Sequence, residues 1–102
     1  MEFTLNVKGK EKTFTVPFVK GRILRQALKI NKILTSKTEV DEETIDVLVG
    51  FTCDVFENQF TPDDVLDGLQ LKGMIPTLQK VLIDVVNEAT SGIEGVSNPK
   101  ND

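Results

Sequence analysis

The chain has 102 residues, 39% of them hydrophobic, and a formal net charge of −4; this is enough for one modest core and too apolar for a disordered chain. It contains no His, Trp or Tyr and a single Cys, which excludes zinc sites of the Cys/His type, an internal disulfide and the usual general base near neutral pH, and leaves only Phe to stack on a nucleobase. No apolar run approaches the ~20 residues that span a bilayer, and the alternating start Phe3-Thr4-Leu5-Asn6-Val7 is unlike the apolar block of a signal peptide, so a cytoplasmic location is expected.

Phe3, Leu5 and Val7 alternate with polar residues, as do Phe14, Val16 and Phe18, and the two runs read as the strands of a β-hairpin. A type II′ turn at Gly9-Lys10 would pair Val7 with Lys12, Leu5 with Phe14 and Phe3 with Val16, placing the apolar residues on one face. A lone hairpin is marginal in water, so that face must cover something. Pro17 ends the pairing, having no N–H to donate. A first helix is expected over residues 20–34. Ile23, Leu24, Ala27, Leu28, Ile30 and Leu34 form its apolar face, and Arg22, Arg25, Lys29 and Lys32 its opposite side. After a polar connection, a second helix opens at Asp41 with Glu42 and Glu43 in its first turn, where the helix dipole favours anions. Its apolar residues cover most of the circumference, so it lies at the centre of the fold or shares a face with another chain. Thr61-Pro62-Asp63-Asp64 combines an N-cap, a proline at the first helical position and acids in the first turn, and starts a short third helix that ends near Gly68. A last helix begins around residues 73–76 and carries Leu78, Val81, Leu82, Val85, Val86 and Ala89 at amphipathic spacing. From Thr90 onward the composition is that of a linker. The expected class is α+β, mainly α: an N-terminal hairpin and about four helices in one globular domain over residues 1–89, with a flexible, disordered C-terminal tail over residues 90–102.

Charge is divided along the chain. Residues 1–37 hold nine Lys/Arg and two Glu; residues 38–102 hold three Lys and fourteen Asp/Glu. Such halves can attract one another, within a chain or between copies, and a homo-oligomer is expected. Asp63, Asp64 and Asp67 are read as charge at a helix start rather than as a metal or acid/base cluster, and Cys53 as a packed thiol in an apolar stretch. No Gly-rich phosphate loop or calcium-loop spacing occurs, so no cofactor, metal or catalytic group is expected. The candidate protein-interaction residues fall in two sets. Val47, Phe51 and Val55 form one line on the second helix, roughly opposite Leu48, Thr52 and Phe56; that line is either core or an oligomer interface, and the sequence leaves both open. Arg22, Arg25, Lys29 and Lys32 form the cationic stripe of the first helix.

The segment order carries a resemblance. A basic-flanked hairpin leads into Val16-Pro17-Phe18-Val19-Lys20-Gly21-Arg22. An acidic start opens an apolar helix that closes on Val55-Phe56-Glu57-Asn58-Gln59-Phe60-Thr61-Pro62-Asp63-Asp64-Val65-Leu66-Asp67-Gly68-Leu69, and an amphipathic helix follows. Over roughly residues 1–89 this resembles the tail assembly chaperones of long-tailed, siphovirus-type phages and prophages of Gram-positive bacteria, most specifically from Phe56 to Leu69. The resemblance implies a small, acidic, non-catalytic protein of the host bacterial cytoplasm, absent from the mature virion. It implies binding to the tape measure protein, which is kept soluble while tail-tube protein subunits polymerise. It implies neither a membrane nor nucleic acid as partner, and brings no residue-level binding motif with it. The alternative, from another class, is a small nucleic-acid-binding regulator using the basic helix 20–34.

Overall fold

A computed structural model describes residues 1–91. Strands β1 (Glu2–Val7) and β2 (Lys10–Thr15) form the antiparallel hairpin, and helices α1 (Arg22–Thr35), α2 (Glu42–Val55), α3 (Pro62–Gly68) and α4 (Met74–Thr90) follow. The α+β, mainly helical class is therefore as the sequence indicates.

The hairpin register differs from expectation by two residues. Val7 lies opposite Lys10, Leu5 opposite Lys12 and Phe3 opposite Phe14, so the loop is Lys8-Gly9 rather than Gly9-Lys10. Lys8 (φ 54°) and Gly9 (φ 84°) are both left-handed, as a type I′ turn requires, and that turn matches the right-handed twist of the strands. The Asn6 carboxamide oxygen accepts the Gly9 N–H at 2.9 Å and steadies the turn. An even shift leaves every side chain on its face: Phe3, Leu5, Phe14 and Val16 are all buried. One further pair of bonds joins Met1 to Val16 before Pro17 interrupts.

Helix starts follow local chemistry. The Asp41 carboxylate accepts the Thr44 N–H and hydroxyl, both at 2.9 Å, and caps α2. Thr61 and Asp64 form a reciprocal capping box on α3, with bonds of 2.9 and 3.1 Å. α4 starts on Gly73 at φ 76°, a conformation open to glycine. α1 has no side-chain cap and rests on tertiary packing.

α2 packs on α1, α3 and α4; α1 also packs on α4, and β1 on α3. This explains why α2 is apolar nearly all round. The Thr52 hydroxyl, fully buried, donates to the Leu48 carbonyl at 2.9 Å, so the one polar group in the middle of α2's core face is satisfied. The hairpin meets the helices through four phenylalanines. Phe60 lies 4.8 Å from Phe14, 5.7 Å from Phe56 and 5.8 Å from Phe3 between ring centroids, and Phe3 lies 5.8 Å from Phe56. Offset and edge-on rings at these distances add to the burial they already provide. The chain reaches this position by turning sharply through Glu57 and Asn58, left-handed at φ 57° and 58°. The Asn58 N–H bonds the Cys53 carbonyl at 2.8 Å, and the Gln59 side chain donates to the Thr15 carbonyl at 2.8 Å. The stretch that carried the resemblance is thus the joint between helices and hairpin.

Two expectations need correction. Leu28, assigned to the core face of the first helix, is 53% exposed: α1 turns only Ile23, Ala27 and Ile30 fully inward, and Leu28 falls on the shoulder beside Arg25. Phe18, expected on the apolar face of the hairpin, is 67% exposed, because β2 ends at Thr15 and Pro17 interrupts the pairing. α3 ends at Gly68, as expected, and this last helical residue is buried and lies against β1. The flexible-tail expectation falls, beyond Ser91, outside the described residues.

Candidate protein-interaction surface

The structure separates the two candidate sets. Phe51 and Val55 are 1% exposed and belong to the core cluster, while Val47 is half-buried at its edge. Of the two readings open for this line, the single-chain fold supports core for Phe51 and Val55, which are buried in a chain whose α1, α3 and α4 all pack on α2. A charge or a partner could reach Phe51 only by opening the helices.

Arg22, Arg25, Lys29 and Lys32 are all exposed on the outer face of α1, and among the described residues none of the four is in an ion pair. Arg22, Arg25, Gln26, Leu28 and Lys29 line one open depression. The stripe therefore stands as the sequence placed it, but with a leucine in it that pattern reading had put inside. α1 is pinned on one side by Gln26, whose amide donates to Asp54 of α2 at 2.6 Å. On the other side Leu24 joins Val19, Val85 and Ala89 in a groove of about 400 Å³, with Lys20 and Glu88 at its rim. Leu34 and Gln79 lie together at the opposite end of the pair, so α1 and α4 run antiparallel.

Further exposed apolar side chains carry no signal in the sequence pattern: Val40, Leu66, Leu71 (88% exposed) and Ile83. Val40 and Leu71 lie outside the regular elements, where periodicity gives no signal, and Ile83 follows the buried Val81 and Leu82 on the far side of α4.

The titratable groups show no catalytic arrangement among the described residues. Lys37 contacts Glu43 at 2.9 Å and Asp41 at 3.0 Å; the two carboxylates raise its pKa. The Thr44 N–H, then Lys37 and the Thr44 hydroxyl, hold the Asp41 carboxyl down at about 2. Burial, with smaller contributions from Asp54 and Asp64, pushes the Cys53 thiol up to about 11, the reverse of what activates a nucleophile. Among the described residues no group of three or more His, Cys, Asp or Glu could hold a metal ion, and no helix is long and apolar enough to cross a membrane.

The structure presents a hairpin clamped on a small helical core and a helix face on which exposed cations flank the exposed Leu28. The sequence matches the phage tail chaperone protein family over residues 1–101, and the chain belongs to that family. Its role is that of a tail assembly chaperone, and the family points to a non-catalytic protein. No curated protein and no solved structure matches it.

Proposed function

We propose that the chain binds the tape measure protein of a long-tailed phage or prophage of a Gram-positive host and keeps it soluble in the bacterial cytoplasm while tail-tube subunits polymerise around it, without entering the finished virion. The observation that carries this reading is the family match over nearly the whole chain, joined to a surface on which the exposed Leu28 lies beside cations that form no ion pair among the described residues. A holdase needs apolar surface for its client and charge to remain soluble itself. The test is co-expression with the tape measure protein of the same tail. The client should move from the pellet to the soluble fraction and co-purify with the chaperone; a client equally insoluble with and without it refutes the proposal.

The charge division supports self-association as part of the same role. Lys8, Lys10 and Lys12 on the hairpin and the acids of α2 and α3 lie in different parts of the chain, so copies can meet head to tail, a contact that closes into a ring or grows into a filament. Exposed charge pairs are worth ~0–1 kcal/mol each and are screened by salt. Sedimentation should therefore show partial loss of the oligomer between ~0.05 M and ~0.5 M salt. A chain that stays monomeric at high concentration and low salt rules this out.

A further inference from the structure

α1 has a core face, a cationic face and a shoulder between them. Leu24 and Leu28 lie on that shoulder one helical turn apart. Leu24 forms part of the floor of the groove shared with Val85 and Ala89 of α4. Leu28 continues the same line out of the groove into solvent. Arg25, Lys29 and Lys32 run beside it at spacings of four and three, covering about 10 Å of helix axis at ~1.5 Å per residue, and none is in an ion pair among the described residues. An apolar track between two antiparallel helices, bordered along one edge by cations, has the form that receives a third helix by its i, i+3/i+4 anchors.

We propose that this shoulder is the docking site for an amphipathic helix of another protein, whose apolar stripe covers Leu24, Leu28 and the α1–α4 groove and whose flanking Asp and Glu side chains meet Arg25, Lys29 and Lys32. The proposal rests on the chaperone reading and names the surface and the chemistry of its client. Charge complementarity selects an acidic helix over a basic one, since like charges along this edge would repel. It also selects a helix over nucleic acid, because phosphates gain nothing from an exposed leucine at the centre of the site, and the chain as a whole is acidic.

The test uses the full chain and a labelled helical peptide of about the length of α1, with leucines at i, i+3/i+4 and i+7 flanked by glutamates; the comparison ligands are the same peptide with lysines for the glutamates and a short DNA duplex. Anisotropy should show binding of the glutamate peptide, at least about tenfold weaker binding of the lysine peptide, and no displacement by DNA. Leu28→Glu and the double variant Arg25→Glu with Lys29→Glu should each weaken the glutamate peptide about tenfold or more, as loss of an anchor does, with circular dichroism and melting temperature unchanged because these side chains are exposed. Ile83→Glu, equally exposed but distant on α4, should leave binding intact. Equal binding by wild type and Leu28→Glu, equal loss in Ile83→Glu, displacement by DNA, or variants that break up a homo-oligomer without touching peptide binding would each overturn the proposal. Co-expression separates the two levels: a tape measure protein soluble with wild type and with Leu28→Glu keeps the chaperone role and discards this site. One insoluble even with wild type discards the role, and the peptide results then decide the site.

Discussion

Gly68→Ala should destabilise the protein although it removes a glycine from a helix. A Cβ placed on Gly68 would sit 3.0 Å from the carbonyl oxygen of Asn6 and 3.0 Å from Cβ of Leu5, with Leu5 Cδ2 at 3.2 Å. The first two contacts cannot yield by a rotamer change: the Asn6 carbonyl is hairpin backbone, and Leu5 is 1% exposed under α3. The strand and the helix must therefore separate slightly. Overpacking of this kind costs about 1–3 kcal/mol. The helix-propensity gain of Ala over Gly, at most ~1 kcal/mol in a helix interior, is smaller at the last residue of α3, so a net loss of about 1–2 kcal/mol is expected. For a domain of this size each kcal/mol moves the melting temperature by about 4–8 °C. Gly50→Ala is the control. It lies mid-helix in α2, where a Cβ would meet nothing within 4 Å, and the same substitution there should stabilise by about 0.5–1 kcal/mol. Thermal and urea unfolding followed by circular dichroism measure both. A Gly68→Ala protein as stable as wild type would mean that α3 and β1 are not in rigid contact, and the account of Gly68 would fail.

Three further outcomes are expected. Phe60→Ala should cost about 3–5 kcal/mol, and amide exchange at Phe3 and Phe14 should accelerate more than at Leu82 of α4, because Phe60 is the ring shared by the hairpin and α2; uniform acceleration would contradict this. Asp41 has a folded pKa of about 2 against an ordinary 3.8, so its contribution is complete above the ordinary value and is lost as pH falls towards about 2. The difference in melting temperature between wild type and Asp41→Ala should therefore shrink between about pH 4 and about pH 2, and a difference that stays constant there refutes the assignment. Cys53, buried with its pKa at about 11, should resist iodoacetamide near neutral pH in the native protein and react readily once unfolded; rapid native alkylation would show that α2 opens.

The candidate surface was half legible. The cationic stripe needed only helical spacing: Arg22, Arg25, Lys29 and Lys32 fall three and four apart, and charge does not enter a core unpaired. Leu28 could not be placed in the same way. Its angular position lies between the buried Ala27 and the exposed Arg25, and whether such a shoulder is covered depends on where the neighbouring helix ends. The line Val47, Phe51 and Val55 was ambiguous for the same reason: apolar residues on every side of α2 are compatible with three helical neighbours or with two and a partner chain, and only the packing of α1, α3 and α4 decides.

By itself the sequence determined what local physics controls: the number and order of the elements, the capped starts of α2 and α3, and the buried face of the hairpin. It also placed the chain in its family by segment order, and the family match bears this out. Caps and alternation act within a few residues, so they can be read without knowing what the segment touches. The tertiary structure decided the rest. The strand register shifted by two residues, because an even shift costs no burial and leaves the choice to backbone twist and the Asn6 bond. Gly68, at the end of α3 as expected, proved also to be a point of close approach, because a strand more than sixty residues earlier lies against it. Phe56 and Phe60, two apolar letters near the end of a helix, became the ring cluster that fastens the hairpin, because burial is a property of the neighbours a residue meets, and those neighbours are distant in the chain.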